Sequence, residues 1–187
     1  MRLAGSSIRA VHREQPERAG ALLSECEVAV RAAQAELEAF PAVAHAGFLH
    51  DAEKELAEAA LTAALVGGGP LPSAGQLQVG VPAWLNGLAE AASELRRHLL
   101  DRLRDGRTDL AEDLLATMED VYEHLVTIDY PDALTAGLRR SADSLRAVLE
   151  RTRSDVTTTV LQQRLQRSLE FRLAYEQDAG EGPGRGG

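Results

Sequence analysis

The sequence predicts an all-α protein, and three observations predict it. Apolar residues recur at steps of three and four in one stretch after another, the period of a helix with one buried face. The chain is 44% hydrophobic but only 4% aromatic. Alanine and leucine, which favour helices, therefore supply most of the apolar content, not the β-branched and aromatic residues that suit pleated sheets. The breaks between stretches fall at proline and glycine. A length of 187 residues suits one domain with a real core.

Residues 1–15 read as a short first helix, with Ile8 and Val11 apolar and Arg9, His12 and Arg13 polar, closed by Pro16. A second, from Glu17 to Ala39, has Ala21, Leu22, Cys26, Val28, Ala29, Ala32, Ala33 and Leu37 as its apolar side. Pro41 opens a third, to about Val66, with Ala52, Leu56, Ala59, Ala60 and Ala63 in one stripe and Asp51, Glu55, Glu58 and Thr62 in another. GGGPLPSAGQLQVG at 67–80 cannot continue a helix, and loops of that length are often functional or mobile.

A fourth helix is expected from Pro82 to about Asp105, with Leu85, Leu88, Ala89, Ala92, Leu95 and Leu99 on one face and Gly106 as its C-cap. Thr108 caps a fifth, about Asp109 to Thr127. After the turn Asp129-Tyr130-Pro131-Asp132 come a sixth, Ala133 to about Arg153, and a seventh, about Asp155 to Tyr175. The folded domain is expected to span 1–176. Residues 177–187, ending in GEGPGRGG, are expected to be a disordered tail.

Composition narrows the function classes. A net charge of -9 repels polyanions unless the arginines gather on one surface. Cys26 is the only cysteine, so neither an internal disulfide nor a cysteine-rich zinc site is expected. No run approaches the ~20 apolar residues of a membrane span, and the N-terminus lacks a signal-peptide core. A cytoplasmic protein with no membrane association is the expectation. Lys54 is the only lysine among twenty basic Lys and Arg residues.

The residues that could carry chemistry are acidic. Glu90 and Glu94 stand one turn apart, pointing the same way, an arrangement unfavourable unless water or a cation separates them. Periodicity alone favours an ordinary solvated face. Glu94 and His98 are also four apart, but a di-iron bundle site wants Glu-x-x-His on two helices, which this chain lacks. There is no Gly-rich phosphate loop followed by Lys-Ser/Thr, and no Cys/His or Ser/His arrangement argues for a covalent nucleophile.

AEKELAEAAL at 52–61, WLNGLAEAASELRR at 84–97, the long stretch from Met118 to Asp155 and SSIRAVHR at 6–13 together resemble the translin family, in the right order over roughly 150 residues. The resemblance implies a seven-helix subunit that assembles into a closed shell, with an octamer favoured and a hexamer the next choice. It implies binding of single-stranded RNA, and of single-stranded DNA in some members. The branch containing translin-associated factor X cuts RNA with acidic residues and Mg²⁺, or Mn²⁺ in its place. Translin itself lacks the acidic set and is a non-catalytic binding scaffold, which is the alternative for this chain.

Carried over by segment, the resemblance assigns Glu55, Glu58, Glu90 and Glu94 to catalysis, with Glu58 and Glu94 as the metal ligands. Glu90 departs from the nuclease pattern, which has Asp there, and reaches one methylene further. Basic residues of two regions resemble nucleic-acid contacts: Arg9, His12 and Arg13, and then Arg139, Arg140 and Arg146. Along the helix Arg139 and Arg146 could equally pair with Asp143 and Glu150.

Overall fold

The computed structural model describes residues 2–180, which contain nine helical segments and no strand. Six are long: α1 (Arg2–His12), α2 (Pro16–Leu37), α4 (Phe48–Gly67), α6 (Val81–Arg104), α7 (Thr108–Val126) and α9 (Leu138–Gly180). Three are single turns between them: α3 (Pro41–Ala44), α5 (Ala74–Leu77) and α8 (Asp132–Thr135). The all-α expectation is met. Among the described residues, no helix is long and apolar enough to cross a membrane.

α6 is the axis of the bundle. It packs most extensively on α4 and also against α7 and α9, while α1 and α2 close the far side of α4. Its apolar face was readable from spacing: Leu88, Ala89, Ala92, Leu95 and Leu99 are all buried. Leu56 and Leu61 of α4 and Leu95 and Leu99 of α6 have no exposed surface. Each stabilises the fold by about 1.5–3 kcal/mol relative to an exposed position. Between them lie alanines, Ala57, Ala59, Ala91 and Ala92, which let the two helices come close.

The approach is tightest at Gly87. A Cβ placed there would lie 2.8 Å from the Cβ of Ala57, and 2.9 Å from both the Glu58 amide nitrogen and the Lys54 carbonyl oxygen. α6 therefore crosses α4 backbone to backbone at the very segment that carries Lys54 and Glu58.

Apart from the expected sixth helix, which Ala136 (φ 50°) and Gly137 (φ 87°) divide into the turn α8 and a start at Leu138, the elements depart from the sequence expectation in four places. The third helix is interrupted: Pro41 starts only the turn α3, and Gly47, at φ 99°, resets the chain before α4. Glycine alone adopts that backbone without steric cost. The Gly-rich stretch after α4 is tied down. Trp84 Nε1 donates to the Pro72 carbonyl at 2.8 Å, Gly80 N donates to Glu53 at 2.9 Å, and Gln34 donates to the Gln78 carbonyl at 2.9 Å. Thr108 is not a cap, since its hydroxyl donates to Gln163 of α9 at 3.2 Å.

The fourth departure is α9, which runs unbroken through the expected gap at Ser154. Thr152 and Val156 on either side of it are buried. Arg96 of α6 donates to Thr152 Oγ1 at 2.9 Å and to Asp155 Oδ2 at 2.8 Å. Asp155 is thus held by a tertiary ion pair and is not available to cap a new helix. Past Val160, Leu161, Leu165, Leu169 and Leu173 form a stripe at four-residue steps, each more than half exposed. The helix continues to Gly180, into the segment expected to be a disordered tail; residues 181–187 of that tail lie outside the described residues.

Candidate functional site

The close crossing of α4 and α6 brings acids from both helices together. The carboxyl of Glu58, from α4, is hydrogen-bonded to Glu90 of α6 and feels the charge of both Glu90 and Glu94. Burial first, then those two negative charges and the bond to Glu90, push the Glu58 carboxyl up to about 8, against a smaller opposing pull from Lys54. At neutral pH Glu58 therefore holds a proton, which it shares towards Glu90.

The two α6 acids are each held by a donor from a different helix. Lys54 Nζ of α4 lies 2.8 Å from Glu90 Oε1. Burial works against the Lys54 ammonium, but the bond to Glu90 and the charges of Glu90, Asp51 and Glu58 outweigh it and raise its pKa. His12 Nε2 of α1 lies 2.7 Å from Glu94 Oε2. That bond, opposed by burial and assisted by Arg97, holds the Glu94 carboxyl below the usual range. The result is a protonated acid, Glu58, beside two carboxylates braced from outside.

The site opens on two sides. Glu55, Glu58 and Glu94 line a groove of about 470 Å³ together with Arg9, His12 and Arg97. Glu90 faces a second cavity, of about 360 Å³, shared with Lys54, His50 and Arg140. The four glutamates assigned to catalysis thus divide between the two openings, Glu55, Glu58 and Glu94 on one and Glu90 on the other.

The basic residues divide. Arg9 lines the acidic groove and donates to Ser6 at 2.8 Å. The His12 side chain borders the same groove but is only 2% exposed and is bonded to Glu94. Arg13 is exposed at the end of α1. Arg139 and Arg140 are exposed and line a groove with Tyr130, which is 68% exposed; Asp129, Asp132 and Asp143 line it too. Arg140 borders the Glu90 cavity as well. Arg146 pairs along the helix with Glu150 at 3.1 Å, the arrangement open to it by spacing.

Mg²⁺ takes hard oxygen ligands and keeps several waters, and the donor set here is made of carboxylates from two helices. The crowding that keeps Glu58 protonated is the kind a dication relieves. As arranged, however, the acids are bonded to one another or to their braces, and among the described residues no group of three or more His, Cys, Asp or Glu is set to hold a metal ion. A cation would have to exchange with the Glu58 proton. His98, whose pKa is lowered by burial and then by Arg102, is not part of a second such group.

Three features of the site lay beyond periodicity. Gly87 sets the crossing, Lys54 grips Glu90, and His12 faces inward. Only Gly87 left a mark in the sequence, as a helix-weakening residue inside an Ala/Leu helix, which signals a packing need.

The same arrangement of helices occurs in solved structures. The C3PO of Archaeoglobus, in a structure of its complex with duplex RNA, is 31% identical, with 85% of this chain and 82% of that chain covered at a TM-score of 0.72. The chain belongs to the translin family. A second Archaeoglobus C3PO structure gives a TM-score of 0.67 at the same identity. Apo C3PO of Nematostella shares the translin fold at a TM-score of 0.75 and 22% identity. A curated relative, an uncharacterised protein of Methanocaldococcus jannaschii, is 30% identical over 124 residues, 66% of this chain; the chain spans 55% of that relative's length. No protein-family model matches the sequence.

Proposed function

We propose that this translin-family chain is a Mg²⁺-dependent endoribonuclease that cleaves single-stranded RNA inside a homo-oligomeric shell. An octamer is favoured over a hexamer, and a cytoplasmic site of action goes with an RNA substrate. The observation that carries the reading is the convergence of Glu58, Glu90 and Glu94, with Glu55 alongside, where α4 crosses α6. RNA binding is supported by the duplex RNA held by the Archaeoglobus relative; the preference for single strands is this reading's own. The exposed leucine stripe of α9 supports assembly, since such a face needs a partner.

Glu58 and Glu94 would hold Mg²⁺, or Mn²⁺ in its place. When bound, the ion supplies a positive charge that stabilises the developing negative charge on the phosphate and lowers the pKa of water. Glu90 and Glu55 act as the acceptors for the proton of the attacking water. Arg9 brings positive charge to the acidic groove. Arg139, Arg140 and Arg13 grip the backbone without reading bases, so binding weakens as salt rises, while Arg146 is held along the helix by Glu150.

The second reading is a non-catalytic scaffold that binds single-stranded RNA or DNA. One observation favours it: the acids are engaged internally, and among the described residues there is no ready set of three ligands. A labelled single-stranded RNA incubated with the protein in Mg²⁺ and in EDTA separates the two. Cleavage in Mg²⁺ that EDTA abolishes, and that is absent in Glu58→Gln and Glu94→Gln, supports the nuclease. Binding without cleavage supports the scaffold.

A further inference from the structure

The His12–Glu94 bond assigns a role to a residue that neither the ligand set nor the RNA contacts use. The imidazole is 2% exposed, and its Nε2 lies 2.7 Å from Glu94 Oε2. Its Nδ1 is buried and has no hydrogen-bond partner. A proton on Nδ1 alone would leave a buried donor with nothing to accept it and would set the Nε2 lone pair against a carboxylate oxygen. The arrangement is consistent only with a proton on Nε2, donated to Glu94.

α1 is anchored so that this donor stays in place. Ser7 donates to the Ala19 carbonyl of α2 at 2.8 Å, and Ala4, Ile8, Ala10 and Val11 are buried. Glu94 itself is 37% exposed towards the groove. Its carboxylate therefore has one oxygen fixed from the core side while the rest of the group fronts the groove.

We infer that His12 is a positioning residue for Glu94. By donating Nε2–H to Oε2 it fixes the rotation of the carboxylate and so the direction in which the group meets a divalent cation. Donors of this kind behind a metal-binding group orient it, and their loss typically weakens metal affinity by about 10–100-fold. The inference rests on Glu94 being a metal ligand, as proposed above, and goes beyond it by naming what orients that ligand.

The test uses the full chain, with Mn²⁺ alone as the probe. Long-range ¹⁵N spectra of the metal-free protein should show His12 with a proton on Nε2; a ring protonated on Nδ1 alone overturns the inference. Mn²⁺ binding, read by electron paramagnetic resonance, should weaken by about 10–100-fold in His12→Leu. His12→Gln, whose amide can place a donor near the same point, should recover most of that loss. In RNA cleavage, kcat should fall in His12→Leu with KM unchanged. Affinity lost in Glu94→Gln but retained in His12→Leu, or a folded His12→Gln no better than His12→Leu, overturns the positioning role alone. Affinity retained in Glu94→Gln, or no Mn²⁺ binding by the wild-type protein, overturns the ligand assignment beneath it.

Discussion

Gly87 and Ala57 meet so closely that a single methyl group on Gly87 would lie 2.8 Å from the Ala57 Cβ. That contact fixes the separation of α4 and α6, and with it the distance between the acids on the two helices. Gly87→Ala should destabilise the protein by about 1–3 kcal/mol, the usual cost of overpacking a core. It should also disturb the Glu58–Glu90 pair, because the other atoms it meets belong to Lys54 and Glu58. Gly20 offers the control. It sits inside α2 with nothing near its missing Cβ, so Gly20→Ala should stabilise by about 0.5–1 kcal/mol. Urea unfolding of the two variants should move the midpoint in opposite directions, and equal shifts would contradict the packing argument.

Much of this was legible in the sequence, and the reasons for the rest are physical. α6 and α7 fall within one residue of expectation because a continuous apolar face and flanking Pro82 and Gly106 mark them locally. The one-turn spacing of Glu90 and Glu94 was also a local fact, though the two carboxylates border different cavities and are braced by different donors. The meeting of Glu58 with Glu90 depends on the crossing at Gly87, a tertiary event that no periodicity encodes. The missed continuity of α9 has the same origin. Asp155, expected to start a new helix, instead sits inside α9 as the ion-pair partner of Arg96 from another helix. His12 and Arg9 look alike as polar positions on a short helix, and both border the groove, yet only the His12 side chain is buried and bonded to Glu94.

The raised Glu58 pKa predicts how stability changes with pH. The folded protein holds this proton up to about pH 8, whereas an unfolded glutamate releases it near its ordinary value of 4.5. The folded state therefore binds more protons than the unfolded state across that window. The stability contributed by the proton is fully present below about 4.5 and is lost as pH rises through about 8. Glu58→Gln cannot titrate and should show a flatter decline. Chemical denaturation at pH 5, 6.5 and 8 checks this, and parallel profiles for the two proteins would argue against a shared proton.

A divalent cation should act on the same group in the opposite sense. Binding to the folded state alone stabilises by about 2.7 kcal/mol when the ion is at a hundred times its Kd. Mg²⁺ or Mn²⁺ should therefore raise the melting temperature of the wild-type protein, more at pH 8 than at pH 6, where the Glu58 proton competes. Glu58→Gln and Glu94→Gln should lose the shift, and EDTA should reverse it. A shift of the same size in all three proteins would place the ion elsewhere.

The arginines are expected to differ in their effect on RNA binding. Arg140 is exposed and borders the Glu90 cavity, whereas Arg146 is paired with Glu150 along α9. Arg140→Ala should weaken binding across sequences and reduce the salt slope for single strands by about 0.7. Arg146→Ala should leave the slope nearly unchanged. Filter binding of a labelled oligonucleotide from 50 to 200 mM salt resolves the two.

The leucine stripe of α9 makes assembly testable separately from chemistry. Leu165→Glu places a charge in the middle of the exposed stripe, far along the helix from the acids. Light scattering should show a multimer for the wild-type chain and a smaller species for this variant, with the helical content kept. An unchanged mass would mean that the stripe is not an interface.

The central claim is that the acids at the α4–α6 crossing make this chain a metal-dependent ribonuclease. The most direct measurement is cleavage of an end-labelled single-stranded RNA by the purified chain in Mg²⁺, run beside EDTA, Glu58→Gln and Glu94→Gln. The account predicts internal cleavage with Mg²⁺ alone and none in the other three reactions. An intact RNA in Mg²⁺, or cleavage that survives both glutamine variants, would contradict it.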